Sequence, residues 1–224
     1  MPDVQFESNG GTANGYLAVP ASGGGPGTIV LQEWWGLVPH IRDVCDRLAS
    51  EGFLALAPDL YRGETTDEPD EAQQKMMAMS MDQAEKDMRG AVDYLANHEG
   101  FEGKGVGSTG WCLGGGLSVW AAAANDKVAA VVTYYYVMPH GKPDFSKINA
   151  PVLGHFGTKD DFIPVDDAKN LEQEMKDAGV QTSFHFYDAG HAFFNDTNRL
   201  GTYDQEAAQE TWGRTISFLR DNLT

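Results

Sequence analysis

The sequence has 224 residues, of which 42% are hydrophobic, so it can bury one substantial core and nothing in its length requires a second. Its formal net charge of −17, from 33 acidic and 16 basic residues, opposes binding to nucleic acid and to anionic membranes. We therefore expect a single domain over residues 1–224 that binds neither.

The cysteine content and the start of the chain bear on location. The two cysteines, Cys45 and Cys112, are too few for a disulfide framework, which suits a reducing compartment. Met1 to Glu7 lacks the basic and apolar regions of a signal peptide, and no apolar run approaches the ~18 residues that span a membrane. We therefore expect a cytoplasmic protein.

The pattern of apolar residues predicts strands and helices that alternate along the chain. Short apolar runs, and one alternating run at the end, predict strands at Gly15–Val19, Thr28–Leu31, Phe53–Ala57, Val128–Tyr134, Pro151–Phe156 and Gln181–Tyr187. Apolar residues at helical spacing or in a closing helical segment predict helices at Pro39–Gly52, Asp82–His98, Asp166–Ala178 and Tyr203–Asn222. This alternation predicts an α/β fold with a mostly parallel central sheet flanked by helices.

One long segment has no clear assignment. Glu64 to Asp82 is polar, acidic and rich in methionine, with only a weak helical pattern over Ala72 to Met81. Two interpretations remain open, a lid over a site or a solvated connection.

The stretch around Cys112 has the pattern of a nucleophile elbow, a sharp strand-to-helix turn that exposes a nucleophile. A short strand leads into Gly110-Trp111-Cys112-Leu113-Gly114, and a helix of small residues follows to Ala124. The glycines permit the strained backbone of such a turn. A thiol at a helix N-terminus is favoured as thiolate, and the N–H of Leu113 is free to bind an oxyanion. Cys45 lies on the apolar face of a predicted helix, so we expect it to pack in the core.

A thiol nucleophile needs a base and an acid that orients the base, and after an elbow these follow in the order acid, then histidine. His191 follows the last predicted strand in a Gly-His turn, whereas His155 and His185 lie within predicted strands as core or face residues. Asp160 and Asp161 both follow a predicted strand, and strand-end geometry alone does not choose between them. No spacing of histidine and cysteine matches a metal site, so we expect no metal.

Five short motifs follow one another along the chain. They are Gln32-Glu33-x-x-Gly36, Ala57-Pro58-Asp59-Leu60-Tyr61, Gly110-x-Cys112-Leu113-Gly114-Gly115, Gly157-x-x-Asp160-x-x-x-Pro164 and Gly190-His191-x-Phe193. In this order and spacing the sequence resembles the dienelactone hydrolase (carboxymethylenebutenolidase) family over Thr28 to Leu219. That family is a cysteine-using branch of the α/β-hydrolase superfamily. The resemblance implies the α/β-hydrolase fold and the hydrolysis of a small ester or lactone without a cofactor.

The resemblance also implies roles for individual residues. The nucleophile, the base and the orienting acid are, in that order, Cys112, His191 and Asp160. The backbone N–H groups of Leu113 and Trp34 form the oxyanion hole. In the family, the glutamate at the position of Glu33 holds the resting cysteine as a neutral thiol until substrate displaces it.

The sequence departs from the family at the substrate site. Members that act on dienelactone hold its free carboxylate with two arginines, but here Glu64 to Met88 contains no arginine, and Asn195 stands at the second position. Arg62 and Arg199 lie nearby without matching the motif. Aromatic residues near strand ends are expected to contact a small acyl or aryl group. The expected substrate-binding set is Trp35, Tyr135, Tyr136, Phe193 and Asn195.

We therefore predict a hydrolase that cleaves small esters or lactones through a Cys-His-Asp triad and a thioester acyl-enzyme. The alternatives are a ligand-binding or sensor module on the same fold that does not turn over, and a cysteine acyltransferase or peptidase. The sequence leaves the oligomeric state open.

Overall fold

The computed structural model describes residues 3–8 and 10–224, and in these residues eight strands form one sheet. The strands are β1 (Asp3–Ser8), β2 (Gly11–Ala18), β3 (Gly27–Leu31), β4 (Leu54–Pro58), β5 (Val106–Trp111), β6 (Val128–Tyr134), β7 (Val152–Gly157) and β8 (Thr182–Tyr187). Their order in the sheet is β1-β2-β4-β3-β5-β6-β7-β8. The pairings of β1 with β2 and of β2 with β4 are antiparallel, and the others are parallel. The predicted α/β fold with a mostly parallel sheet is confirmed.

Helices cover both faces of this sheet. They are α1 (Pro39–Ser50), α2 (Pro69–Ala78), α3 (Met81–Ala96), α4 (Leu113–Ala124), α5 (Val165–Asp177) and α6 (Gln205–Leu223), with a short 3₁₀ helix at Phe145–Lys147. Helices α1 and α6 pack on one face and α3, α4 and α5 on the other. Because both faces are covered, the central strands β3, β4, β5 and β7 are buried at every position. Cys45 is fully buried in α1, as predicted.

The antiparallel edge of the sheet differs from the prediction. The first predicted strand began at Gly15, but β2 begins at Gly11 and pairs with β1, which had no predicted counterpart. Along β1 the inward-facing residues are Phe6 and Ser8, and the Ser8 hydroxyl donates to the buried carboxylate of Asp87 in α3 at 2.5 Å. A polar residue on the inner face breaks the apolar alternation that identifies a strand in a sequence. The position of β1 is therefore stabilised mainly by its contact with α3.

The parallel strands bring the chemically distinctive loops together. Since β3, β5, β7 and β8 run in the same direction, their carboxyl ends meet at one edge of the sheet. The segments that leave this edge are 32–38, 112, 158–164 and 188–204. The four residues with a predicted catalytic role each lie in one of these segments: Glu33, Cys112, Asp160 and His191.

A hydrogen-bonded chain centred on His155 crosses the core between β6, β7, β8 and α6. Its Nδ1 is 2.9 Å from the Tyr187 hydroxyl and its Nε2 is 3.3 Å from the Thr215 hydroxyl, which is 2.7 Å from the Tyr134 hydroxyl. Burial lowers the pKa of His155 well below its usual value of 6.5, and the charges of His185 and Arg214 lower it further. The folded protein therefore holds His155 neutral, as expected for a satisfied core histidine.

We expect His155 to reduce stability in mild acid. Below pH 6.5 the unfolded chain binds a proton at His155 that the folded state excludes, so the free energy of unfolding falls by about 1.4 kcal/mol per pH unit from this residue. Urea unfolding of the wild type and of His155→Gln between pH 7 and pH 5 should show a shallower decline for the variant. Parallel declines would contradict the assignment of a buried neutral imidazole.

Candidate active site

The turn between β5 and α4 has the geometry of a nucleophile elbow. Cys112 is the single residue between the two elements, with φ 56° and ψ −117°, in the left-handed region that side chains rarely adopt. A Cβ on Gly110 would lie 2.0 Å from the carbonyl oxygen of Gly114, and a Cβ on Gly114 would lie 2.1 Å from that of Leu31. Both glycines are therefore required by close backbone approach, as the motif predicted.

A histidine and an aspartate meet beside this turn. Nδ1 of His191 lies 2.8 Å from Oδ2 of Asp160, and the two side chains are 5% and 1% exposed. The other oxygen, Oδ1, accepts the backbone N–H groups of Phe162 at 2.8 Å and Ile163 at 2.9 Å. Asp161 is exposed and makes no such contact with the histidine. The structure thus brings Asp160, and not its neighbour, to His191.

The electrostatic surroundings of His191 favour its protonated form. Burial by itself lowers the pKa of the imidazole, but the charge of Cys112 and hydrogen bonds with Asp160 and Cys112 raise it to about 10. An imidazolium beside the sulfur stabilises a thiolate. The arrangement can therefore hold a reactive thiolate and a proton donor at the same place.

Two backbone N–H groups are available next to Cys112. Leu113 is the first residue of α4, where helical N–H groups have no intrahelical acceptor, and Trp34 follows β3 at the same edge of the sheet. Within the described residues, neither N–H donates to a protein acceptor. Both are thus free to bind an oxygen that gains negative charge.

Glu33 is a buried carboxyl group in the same site. It is 1% exposed, and its Oε2 accepts a hydrogen bond of 2.6 Å from the side-chain amide of Asn195. Burial raises its pKa, and this is opposed by His40, by the bond from Asn195 and by the charges of His191 and Arg199. A carboxyl group with a raised pKa exchanges its proton more readily near neutral pH than an exposed one does.

These groups face a small cavity of about 150 Å³. Its lining residues are Glu33, Trp34, Trp35, Gln73, Met76, Cys112, Val137, Phe162, His191, Ala192 and Leu200. Most of these side chains are apolar, and none of them is a lysine or an arginine. The cavity therefore suits a small uncharged group held beside the thiol.

Part of the wall comes from the segment that the sequence left unassigned. Gln73 and Met76 of α2 line the cavity, and His140 Nε2 lies 2.8 Å from the carbonyl oxygen of Met76. The Thr66 N–H donates to the Trp35 carbonyl at 3.1 Å. The segment covers the site, which a merely solvated connection would not do.

The predicted substrate-binding residues are only partly gathered at the cavity. Trp35 lines it, but Tyr135 and Phe193 have no exposed surface and pack beneath His191, with the Tyr135 ring centroid 4.9 Å from the imidazole. Tyr136 is buried in the core layer on the opposite face of the sheet. Asn195 contacts Glu33 instead of the cavity. Of the predicted aromatic residues, Trp35 alone lines the cavity, and the others are buried in the core.

Six cavity residues were missed by the sequence analysis: Gln73, Met76, Val137, Phe162, Ala192 and Leu200, of which Ala192 directly follows His191. Phe162 carried a usable signal, since it is an aromatic residue that stands two residues after Asp160. Its ring centroid is 4.9 Å from that of His191. The other four reach the site through tertiary packing, which no local pattern reveals.

Neither arginine that was considered near the substrate site lines the cavity. Arg62 donates to Asp87 at 2.7 Å. Arg199 pairs with Asp67 and lies over the ring of Trp35, with Cζ 5.2 Å from its centroid. Arg199 is therefore the nearer of the two arginines to the cavity, and the side chain of Trp35 separates it from the cavity.

Residues 3–8 and 10–224 contain neither a metal-binding cluster nor a membrane-spanning helix. No group of three or more histidine, cysteine, aspartate or glutamate side chains is arranged to hold a metal ion there. In the same residues, every helix is too short or too polar to cross a bilayer.

Comparison with known proteins gives a consistent result. The model of the dienelactone hydrolase family matches residues 13–223. Protein usf of Aquifex pyrophilus is 37% identical over 229 residues, covering 99% of this chain and 98% of that protein. The carboxymethylenebutenolidase of Pseudomonas sp. strain P51 is 33% identical over 221 residues, covering 94% and 91%. The crystal structure of a Klebsiella pneumoniae protein assigned as a dienelactone hydrolase superposes with a TM-score of 0.87 at 31% identity, covering 97% of each chain.

The elbow makes a prediction about glycine substitutions. Gly114→Ala should lower the free energy of unfolding by about 3 kcal/mol or more, because backbone atoms must shift to admit the new Cβ. Gly213→Ala is the matched control, since Gly213 lies within α6 and nothing approaches its Cβ position. Alanine should stabilise that helix by about 1 kcal/mol. Urea unfolding of both variants measures the difference, and equal effects would contradict the close contact.

Proposed function

The chain belongs to the dienelactone hydrolase family, and we propose that it hydrolyses small uncharged carboxylic esters or lactones through a Cys112-His191-Asp160 triad. Family membership makes it a hydrolase with the α/β-hydrolase fold. The observation that carries the proposed mechanism is Cys112 on its strained turn in one cavity with His191, which is bonded to Asp160 at 2.8 Å.

In the first half of the proposed reaction, Cys112 Sγ attacks the carbonyl carbon and forms a C–S bond. The electrons of the C=O bond move to oxygen, and the N–H groups of Trp34 and Leu113 stabilise that charge. The ester C–O bond then breaks, and the imidazolium of His191 donates a proton to the leaving oxygen. The C=O bond re-forms as an alcohol departs, or as the hydroxyl end of an opened lactone stays attached, and a thioester remains.

In the second half, His191 accepts a proton from water while the water oxygen attacks the thioester carbon. The C–S bond breaks, the carboxylic acid leaves, and the proton on His191 is again shared with Cys112. Asp160 keeps the imidazole in one orientation and stabilises its positive charge, because its other oxygen is fixed by two backbone N–H groups. No cofactor takes part in either half.

Glu33 is proposed to act on the resting thiol. Its side chain lines the same cavity as Cys112, and burial raises its pKa. A nearby carboxyl group disfavours a thiolate, so the cysteine is less easily oxidised or alkylated until a substrate changes the position of the carboxyl group. The family resemblance supports this role.

The substrate class follows from the size and charge of the cavity. A volume of about 150 Å³ accommodates a short acyl or small aryl group. An anionic substrate would meet a protein of net charge −17 and a wall without lysine or arginine. A buried carboxylate without a cationic partner is unfavourable by several kcal/mol, on the order of a thousandfold in affinity.

Cys112 and not Cys45 should carry the activity. Cys112→Ala should lower kcat for p-nitrophenyl acetate by about a thousandfold or more, and Cys45→Ala, the matched control in a fully buried position, should keep wild-type turnover. Iodoacetamide should add one label, at Cys112, as measured by peptide mass spectrometry. Retention of activity in Cys112→Ala would overturn the assignment, and release of one equivalent of product followed by arrest would indicate a binding module.

A neutral acyl chain should be preferred to a carboxylated one of similar length. We expect kcat/KM for p-nitrophenyl butyrate to exceed that for mono-p-nitrophenyl succinate by about tenfold or more, because only the succinate brings an unpaired carboxylate to the wall. Dienelactone, measured on the same preparation, should also be a poorer substrate than the butyrate ester. A preference for the carboxylated substrates that disappears in Arg199→Gln would instead assign carboxylate recognition to Arg199.

A further inference from the structure

Tyr135 is held rigidly beside the candidate triad by its backbone and its ring. It follows β6 with φ 35°, in the left-handed region, and its N–H donates to the His155 carbonyl at 2.8 Å. Its ring centroid lies 4.9 Å from that of His191 and 5.4 Å from that of Phe193. A strained residue that is fully buried persists only where its surroundings determine it, which makes the direction of its hydroxyl specific.

The hydroxyl of Tyr135 has no hydrogen-bond partner in the part of the chain that the structure describes. An unpaired buried hydroxyl is unfavourable, so such a group needs an explanation. Burial, and then the charges of Glu33, Cys112, Tyr134 and Asp160, raise the pKa of Tyr135 well above 10. The hydroxyl therefore keeps its proton and can donate a hydrogen bond, and its ring packs against His191 in the site that also holds three acidic groups, Glu33, Cys112 and Asp160.

Of these three groups, Glu33 is the acceptor with capacity to spare. Both oxygens of Asp160 already accept bonds, from two backbone N–H groups and from His191. Within the described residues, the carboxylate of Glu33 accepts only from Asn195, through Oε2. Its other oxygen, Oε1, accepts no bond from these residues and can take a second donor.

Negative charge on Cys112 would repel a negatively charged Glu33 and favour movement of its carboxylate. A thiolate at Cys112 and a carboxylate at Glu33 would share a cavity of about 150 Å³, where like charges a few ångströms apart repel strongly. The side chains that favour the charged form of Glu33 are His40, His191 and Arg199, and they reduce this repulsion without removing it. A hydrogen-bond donor that holds the carboxylate away from the thiol would reduce this repulsion.

We propose that the Tyr135 hydroxyl is the hydrogen-bond donor that receives the Glu33 carboxylate when Cys112 becomes a thiolate. Tyr135 is then a positioning residue, acting through Glu33, and the inference rests on the proposed function because it assigns Cys112 as the reacting thiol. Tyr61 also has a buried hydroxyl without a partner, but Cys112 is the only charged neighbour that acts on it, and its side chain belongs to the core layer on the opposite face.

A double-mutant cycle on the resting protein tests the proposal. The readout is the pH midpoint of Cys112 alkylation by iodoacetamide, followed by mass spectrometry in the wild type, Tyr135→Phe, Glu33→Gln and the double variant. In Tyr135→Phe the carboxylate has no second partner, so the midpoint should rise by about one pH unit, the effect of losing one hydrogen bond to a charged group. In the Glu33→Gln background, Tyr135→Phe should shift the midpoint by less than about 0.3 unit, because the carboxylate that the Tyr135 hydroxyl would bind has been removed.

Tyr136→Phe is the matched control, because it removes an equally buried and unpartnered hydroxyl from the adjacent residue in the opposite core layer. Its midpoint should equal that of the wild type. Equal shifts of Tyr135→Phe in both backgrounds, or no shift in either, would overturn the proposal and leave Tyr135 as packing for His191. Alkylation needs no turnover, so the cycle is independent of the ester assays: loss of the proposed function would appear there, as retained hydrolysis in Cys112→Ala.

Discussion

The close approach of α4 to the carboxyl ends of β3 and β5 is the constraint on which the site depends. No Cβ fits at Gly114, which lies against the Leu31 carbonyl, or at Gly110, which lies against Gly114. Because the helix begins so near the sheet, Cys112 must take a positive φ, and its side chain stands at the edge where the parallel strands end. The N–H of Trp34, just past β3, is brought to the same place. One packing requirement thus sets the thiol and the free N–H groups relative to each other.

The two buried carboxyl groups of the site differ in how completely they are satisfied, and this difference suggests different roles. Asp160 has three donors and holds His191 in one orientation, so little would change its position. Glu33 has one donor and a pKa raised by burial, so small changes in the cavity alter its protonation or its rotamer. The better satisfied group suits a fixed support, and the less satisfied one suits a response to charge at Cys112.

The sequence predicted the parallel part of this sheet well and its antiparallel edge and the cavity wall poorly, for a physical reason. The buried parallel strands and the elbow are defined by local composition, because apolar runs and glycine contacts act within a few residues. By contrast, β1 depends on the bond from Ser8 to Asp87, and the cavity wall depends on Met76, far along the chain from Cys112. The choice of Asp160 over Asp161 needed a resemblance, since the two are neighbours and only folding shows which one faces His191.

The cationic side chains near the site show why no lysine or arginine lines the cavity. Arg62 lies against Asp87, whose side chain is 1% exposed, and a buried carboxylate that loses its partner is strongly destabilising. Arg199 is engaged by Asp67 and by the ring of Trp35. With 33 acidic and 16 basic residues, the chain has few cations to spare for a ligand. Both arginines stabilise the protein itself, so selection among substrates is left to the apolar wall and to the reacting carbonyl group.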